Sequence, residues 1–357
     1  MQKLFLSLKL PVLLLALCLG CGQSARSDLA PAVPTLTLDF EDGVAGVGRD
    51  GQTVAPRVEG KAELQEGKFG KAFKSGPGAG YLHFPTEGIV STQAGTVEMW
   101  VSPLDWSGDE KAFHMFFAAK GAANGEGKLF LYKYLSSGLG FLFLSHDGGK
   151  GHNRLANKNI DSWKPGEWHH IAATWWPSRQ ELYIDGKLAG SGLPSLPKSL
   201  DAEFLIGDHP FEPSIPRTSQ SLIDGVRIYD RVLSPAVIAA HYAGDYGKTT
   251  PLDEQSARLE FAVADNRLRP TLTLTGADVD TRAARADFSI LQGERVVATQ
   301  TNRPFNGVIA GADFADTFAP GDYVLRVALH DKNGQIGAVS QPLTVPSREW
   351  LNNTLGE

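Results

Sequence analysis

What most constrains the fold of this chain is alternation. From Thr35 onward, short runs in which apolar and polar residues take turns are separated by clusters of Gly, Asp, Asn and Pro. Successive side chains of a strand point to opposite faces, so each such run can bury one face and wet the other, and many of them in series imply stacked sheets. In Gly95-Thr96-Val97-Glu98-Met99-Trp100-Val101 the apolar Val97, Met99 and Val101 share one face, and Glu98 and Trp100 the other. Residues 128–135 and 140–145 form two aromatic-rich runs around Ser136-Ser137-Gly138, which predicts a hairpin. A second hairpin is predicted where residues 180–184 meet Asp185-Gly186 and then Lys187-Leu188-Ala189-Gly190, because Asp-Gly supplies the two positive-φ positions of a type I′ turn. A further strand is predicted over residues 222–229. Ser234 then caps a short helix that opens on Pro235 and is stopped by Gly244.

Composition supports an all-β reading: 39 Gly and 21 Pro against only 21% charged residues favour many turns and short strands. At 357 residues the chain is long enough for two domains. The formal charge of −6 is spread without basic blocks, which argues against nucleic acid as a partner.

The first residues have another character. Lys3 and Lys9 precede an apolar run over residues 10–17, followed by Leu19-Gly20-Cys21, the layout of an export signal. The run is shorter than the roughly 20 residues a membrane span needs, and Pro11 interrupts it. Leu19-Gly20-Cys21 with Gly22 and Gln23 resembles the lipobox of bacterial lipoproteins, which implies lipidation of Cys21 and attachment to the membrane of the bacterial cell envelope. Cys18 departs from the pattern, which usually has Leu there, and a plain secretory signal cut nearby is the alternative. Both cysteines lie within this segment, so the rest of the sequence holds no disulfide and no cysteine-based zinc site. Residues 1–21 are thus read as a signal and residues 22–34 as a linker.

Five segments in order carry a wider resemblance: Leu38-Asp39-Phe40-Glu41-Asp42-Gly43; Gly67-Lys68-Phe69-Gly70-Lys71-Ala72; Gly95 to Val101; Gly166-Glu167-Trp168-His169-His170-Ile171-Ala172 with Leu182-Tyr183-Ile184-Asp185-Gly186; and Ile223-Asp224-Gly225-Val226-Arg227-Ile228-Tyr229 with Leu233-Ser234. They resemble the laminin-G-like, concanavalin A-like lectin/glucanase sandwiches of bacterial surface proteins. The resemblance implies a jelly roll of two antiparallel sheets over residues 35–246, with ligands held by rim loops or on the concave sheet. It also implies a structural calcium ion tying the first acidic loop to the last strand, at Asp42 and Asp224. The plainer alternative is that Asp42 caps a turn beside Gly43 and Asp224 makes a local hydrogen bond. The resemblance names no ligand, because this fold hosts lectins, enzymes and structural modules.

After a polar linker, alternation resumes at Arg258-Leu259-Glu260-Phe261-Ala262-Val263. It returns at Thr271-Leu272-Thr273-Leu274, and at residues 321–328 leading into Lys332-Asn333-Gly334. Residues 255–346 are therefore read as a smaller immunoglobulin-like or fibronectin-like β-sandwich. The tail, residues 347–357, begins in a segment resembling those that lead into glycoside-hydrolase barrels in some large bacterial proteins.

Motifs for catalysis are missing. Glucanases of this fold use Glu-x-Asp-x-x-Glu, which places paired carboxylates on one strand face. The nearest acidic run, Asp39-Phe40-Glu41-Asp42, has the wrong order. No Gly-x-Ser-x-Gly elbow and no His-Glu-x-x-His occurs, and Gly76-Pro77-Gly78-Ala79-Gly80 precedes a strand and not a helix. His169 and His170 are adjacent on a strand and face opposite ways, so they cannot act as a pair. For a glycan site the candidates are Tyr132, Tyr134, His146, Asn153 and Trp163. Tyr132 and Tyr134 share a strand face and either stack on sugar rings or belong to the core. Trp168, Trp175 and Trp176 are assigned to the framework. The reading that follows is an envelope-anchored, non-catalytic protein that binds a glycan or polysaccharide. A jelly-roll hydrolase or lyase stays open as an alternative, as does an accessory or structural region of a larger glycoside hydrolase system with a protein partner.

Overall fold

A computed structural model describes residues 25–26, 31–76, 78–121, 127–136, 139–147, 154–208, 219–249, 256–264, 267–275, 283–306, 309–315, 318–331 and 334–345. The chain divides into two units, Ala30–Thr250 and a second one made of Pro251–Glu357 with Met1–Leu29.

The larger unit is a jelly-roll-like sandwich whose strands pair antiparallel almost throughout. One leaf runs from Lys71–Ser75 through Ser221–Tyr229, Gly95–Pro103, His169–Trp176 and Arg179–Ile184 to Lys187–Gly192. The other runs from Arg57–Gly60 through Gly80–Pro85, Leu200–Ile206, His114–Gly121, Lys128–Ser136 and Leu139–Asp147 to Arg154–Asn159. The core lies where the inward faces meet: Val97, Met99, Val101, Ile171 and Ile223 from the first leaf, and Phe117, Leu129, Leu131, Phe204 and Ile206 from the second. Alternation therefore places Glu98 and Trp100 on the outer face of the first leaf, and Phe130, Tyr132 and Tyr134 on the outer face of the second.

Helix Pro235–Tyr242 covers part of the first leaf's outer face. The Val237 N–H donates to the Ser234 hydroxyl, Pro235 needs no donor partner at the helix start, and Val237, Ile238 and His241 are buried. A small apolar cluster of Ala172, Tyr183, Tyr229, Leu233, Val237 and Ile238 seals it down. The hairpin between Arg179–Ile184 and Lys187–Gly192 turns through Asp185 at φ 50° and Gly186 at φ 73°, as the Asp-Gly pair requires.

The smaller unit is also a two-sheet sandwich. Gly334–Val345, Gly321–Asp331, Arg285–Gln292 and Arg295–Pro304 form one sheet, and Ala257–Ala264, Arg267–Leu274 and Ile309–Gly311 the other. Leu259, Leu272, Phe288, Leu325 and Val327 fill the space between them. One difference from the sequence reading stands out. Ala25–Arg26, within the stretch read as a free linker, adds an edge strand beside Val339 and Ser340. Two residues of backbone pairing leave no side-chain pattern to read, which is why alternation could not announce it. The Lys332-Asn333 turn, the signal with Cys21, and the tail all lie outside the described residues.

Candidate functional site

On the second leaf's outer face stands an aromatic patch, buried at one end and reaching solvent at Tyr134. Tyr132 pairs with Met115 on one side and with Phe143 on the other, and Tyr134 follows two residues later on the same face. Phe113 stacks on Tyr132 with ring centroids 5.0 Å apart and meets Tyr134 edge-on at 5.7 Å. Below them Phe130 joins Met115, Ala118 and Leu205 in a small apolar cluster, against which Phe113 and Tyr132 pack. Tyr132 is half-buried, whereas Tyr134 is 45% exposed. The three rings form a ledge, anchored at one end and open at the other.

The residue between the two tyrosines fixes the ledge. Lys133 points inward and is fully buried, and its ammonium donates to the carbonyls of Glu110 and of Ala112, the latter at 3.0 Å. This ties the loop that carries Phe113 to the strand that carries the tyrosines. Burial pulls the Lys133 amine below the usual lysine range, opposed by the neighbouring Glu110, Asp109 and Asp161. Trp106 lies nearby, its ring stacked on His114 at 4.2 Å and its indole N–H donated to the Gln220 carbonyl at 3.0 Å.

Of the other glycan candidates, Trp163 does not join this ledge. Trp163 is a correction: it is 4% exposed and stacks face to face on His169, centroids 4.1 Å apart at 6°. Its backbone N–H donates to the Ile160 carbonyl and its backbone carbonyl accepts from the Gly108 N–H, and the buried ring, covered by His169, leaves no open face for a sugar. His146 pairs with Leu129, a core position, whereas Tyr132 pairs with Phe143, so His146 does not share the register of the two tyrosines. Asn153 lies outside the described residues.

On the first leaf's outer face, under the helix, the structure assembles groups that the sequence kept apart. Glu98 accepts from His241 Nδ1 at 2.9 Å and from the Tyr229 hydroxyl at 3.1 Å, and His170 Nε2 lies 3.5 Å from its other oxygen. Burial alone would raise the Glu98 carboxyl, but the hydrogen bonds from His170 and His241 outweigh it and bring it down to about 2. Burial, with Glu98 adding to it, pushes the Tyr229 phenol well above its ordinary range. The residue types are those of acid–base chemistry. However, Glu98, His170 and Tyr229 are buried where the helix covers the leaf, and His241 is buried on the helix's inward side, so the cluster ties the helix to the leaf. The alternation of strand Gly95–Pro103 shows Glu98 and Trp100 together, but the part played by His241 is signalled only by the buried side of a short capped helix.

His169, on the opposite face from His170, donates to Asp185, whose second oxygen accepts the His170 N–H at 3.0 Å. Burial would raise the Asp185 carboxyl, yet these bonds from His169 and His170 hold it below its ordinary range. The pair of histidines thus ties one strand both to the hairpin turn and to the helix.

For calcium the geometry is unfavourable. Asp224 is buried, its Oδ2 accepts the Phe69 N–H at 2.8 Å, and its Oδ1 has no hydrogen-bond partner. Burial lifts this carboxyl to about 6 in spite of the N–H donors of Phe69, Gly225 and Lys68, and Glu41 adds to the rise. It is Glu41, accepting the Lys71 N–H at 3.0 Å, that approaches the same turn, while Asp42 is exposed. The turn wraps both carboxylates closely; a Cβ on Gly67 would stand 2.7 Å from Asp224 Oδ2. Among the described residues no three or more His, Cys, Asp or Glu side chains are placed to hold a metal ion together, and calcium takes six to eight oxygens.

Residues 76–239 match the family described as the concanavalin A-like lectin/glucanases superfamily. No curated protein matches the chain. Among solved structures it is similar to domain 4 of AbnA, a GH43 extracellular arabinanase from Geobacillus stearothermophilus, in complex with arabinotriose. The identity is 21% and the TM-score 0.43, over 61% of this chain and 100% of that one. It is similar to the binding domain of botulinum neurotoxin DC in complex with SialylT, at 13% identity and TM-score 0.46, over 85% of this chain and 72% of that one. A third similarity is to the Trypanosoma rangeli sialidase, at 19% identity and TM-score 0.43, over 60% of this chain and 33% of that one.

Proposed function

We propose, taking the larger domain over residues 76–239 as a concanavalin A-like lectin/glucanase domain, that it is a non-catalytic module which binds polysaccharide on the ledge of Phe113, Tyr132 and Tyr134. The observation that carries this reading is the exposed ring of Tyr134, set by strand alternation and by the inward anchor of Lys133 beside two further aromatic rings. An apolar ring face suits the C–H face of a sugar, and a phenol edge supplies a hydrogen bond. The acid–base cluster around Glu98 is sealed under a helix, which favours binding over turnover at that cluster.

Retention of the full chain on insoluble glucan, xylan, arabinan and chitin, with released reducing ends measured in parallel, tests this. Tyr134→Ala is expected to weaken retention by about tenfold, a loss of about 1.4 kcal/mol, with a melting temperature lowered only slightly, because the side chain is 45% exposed and outside the main core. Released sugar from the intact protein, or retention indifferent to Tyr134, would exclude the reading.

The proposal extends to location: Leu19-Gly20-Cys21 supports a lipid anchor at the cell envelope. Labelling of cells with an alkyne fatty acid is expected to mark the wild-type chain and to leave Cys21→Ser unmarked; equal labelling of both would remove the anchor from this residue.

A further inference from the structure

In the smaller unit, strand register lines up an apolar row on the outer face of one sheet. Pro342 stands opposite Val324, Val324 opposite Leu291, and Leu291 opposite Val296. Their neighbours Tyr323, Leu325, Ile290 and Leu343 fill the core, so alternation turns the four outward. A register shift between Ile290 and Leu291 packs Val297 against the core and leaves Val296 outside. Val296 is 52% exposed and Val324 37%, with Leu291 and Pro342 half-buried. At about 4.8 Å between strands the row crosses roughly 15 Å of the sheet. Single apolar residues on a surface are ordinary, but a contiguous row marks a contact.

The same sheet receives Ala25–Arg26 at its edge, antiparallel, with Ala25 opposite Ser340 and Arg26 opposite Val339. This direction leads the chain before Ala25 toward the Val345 end of the neighbouring strand, and Pro342 lies two residues along that way. Cys21 precedes Ala25 by four residues, and four residues of fully extended chain reach at most about 14 Å. Covalent geometry alone therefore keeps Cys21 within about the row's own length of the strand edge.

We infer that this row is the face by which the smaller unit meets a lipid bilayer, its apolar side chains entering the headgroup boundary while acyl chains at Cys21 hold them there. The inference rests on the lipid anchor proposed above and adds to it the face that the lipid surface takes. Interfacial binding grows with the apolar area buried at the boundary, and a lipid chain joined to such an area holds better than either alone. The charges bordering the row cancel. Arg326 lies two residues from Val324 on one side and Asp322 two residues on the other, and the turn beside Val296 carries Glu294 and Arg295. Asp322 also accepts the Thr344 hydroxyl at 2.8 Å. The contact is therefore apolar in origin and does not call for anionic lipid.

Fluorescence quenching on the full lipidated chain in phosphatidylcholine vesicles decides it. No cysteine follows Cys21, so an introduced cysteine is the one free thiol and takes a nitrobenzoxadiazole probe. With a nitroxide lipid as quencher, the probe on Val324→Cys and on Val296→Cys should be blue-shifted and quenched. On Ile309→Cys, 46% exposed on the other sheet of the same unit, it should be neither. Val296→Asp should weaken quenching at position 324 while fatty-acid labelling and melting hold, because that side chain is more than half exposed. Added phosphatidylglycerol should change little. Absence of fatty acid at Cys21 would remove the anchor and this placement together. Labelled protein with unquenched probes, with Ile309→Cys quenched as strongly, or with quenching confined to anionic vesicles would overturn the placement and leave the anchor standing. A blue shift that grows with protein concentration and escapes the quencher would give the row to a second copy of the chain instead.

Discussion

Glu98→Ala is expected to lower the unfolding transition of the larger domain by roughly 10 °C. The substitution removes one side chain but strands three. His241 Nδ1, His170 Nε2 and the Tyr229 hydroxyl all face this carboxylate from within the protein, and breaking a buried ion pair from one side costs about 3–5 kcal/mol. At about 2–4 °C per kcal/mol for a domain of this size, that gives the figure stated. Glu98→Gln keeps the shape and one acceptor, so it should fall between wild type and Ala. Glu66→Ala, at an exposed strand end, should do almost nothing. Calorimetry and tryptophan fluorescence report the transition together, and a loss below about 1 kcal/mol for Glu98→Ala would mean that the helix is held by apolar packing alone.

The same carboxylate shapes the acid limb of stability, and Asp224 opposes it. Glu98 sits at about 2 in the folded state against an ordinary value of 4.5. Its stabilisation is therefore present above pH 4.5 and is lost as pH falls toward 2. Asp224 sits at about 6 against 3.8, so the opposite sign applies: its contribution is full below pH 3.8 and is lost as pH rises through 6. Each shift corresponds to at most about 3 kcal/mol, less for Asp224 after solvent screening. The transition temperature should accordingly rise between pH 2 and 4.5 and decline toward 6. Glu98→Gln should flatten the first slope and Asp224→Asn the second.

Much of the fold could be read directly from local rules. The Asp185-Gly186 turn, the cap at Ser234, and the in-and-out order of Val97 to Val101 each depend on residues adjacent in sequence, and each stands where those rules place it. The shared face of Tyr132 and Tyr134 was legible for the same reason. The buried cluster was not, since Glu98 and His241 are 143 residues apart and nothing in either neighbourhood encodes the meeting. Resemblance to a family placed the acidic loop beside the last strand, but the side chain that reaches the turn is Glu41 and not Asp42. A shift of one residue reverses the face and lies beyond motif matching.

Trp163 shows where alternation gives no guidance, and its replacement should reveal the difference between a sugar platform and a core ring. It lies in a loop, where no period tells which side faces water, and an aromatic residue there suits either role. The structure surrounds it with Trp106 at 6.4 Å and His169 at 4.1 Å, and the backbones of Ile160 and Gly108 hydrogen-bond to its own. Trp163→Ala should thus leave a cavity between the two loops and cost about 3–5 kcal/mol, the usual range for a buried tryptophan. Binding to polysaccharide by the fraction that remains folded at low temperature should be unchanged, because the ledge at Tyr134 stands on another strand face. A variant with unaltered melting and lost binding would return Trp163 to the ligand, whereas melting lowered by roughly 10 °C with binding retained would fix it as the ring that closes the two loops over His169.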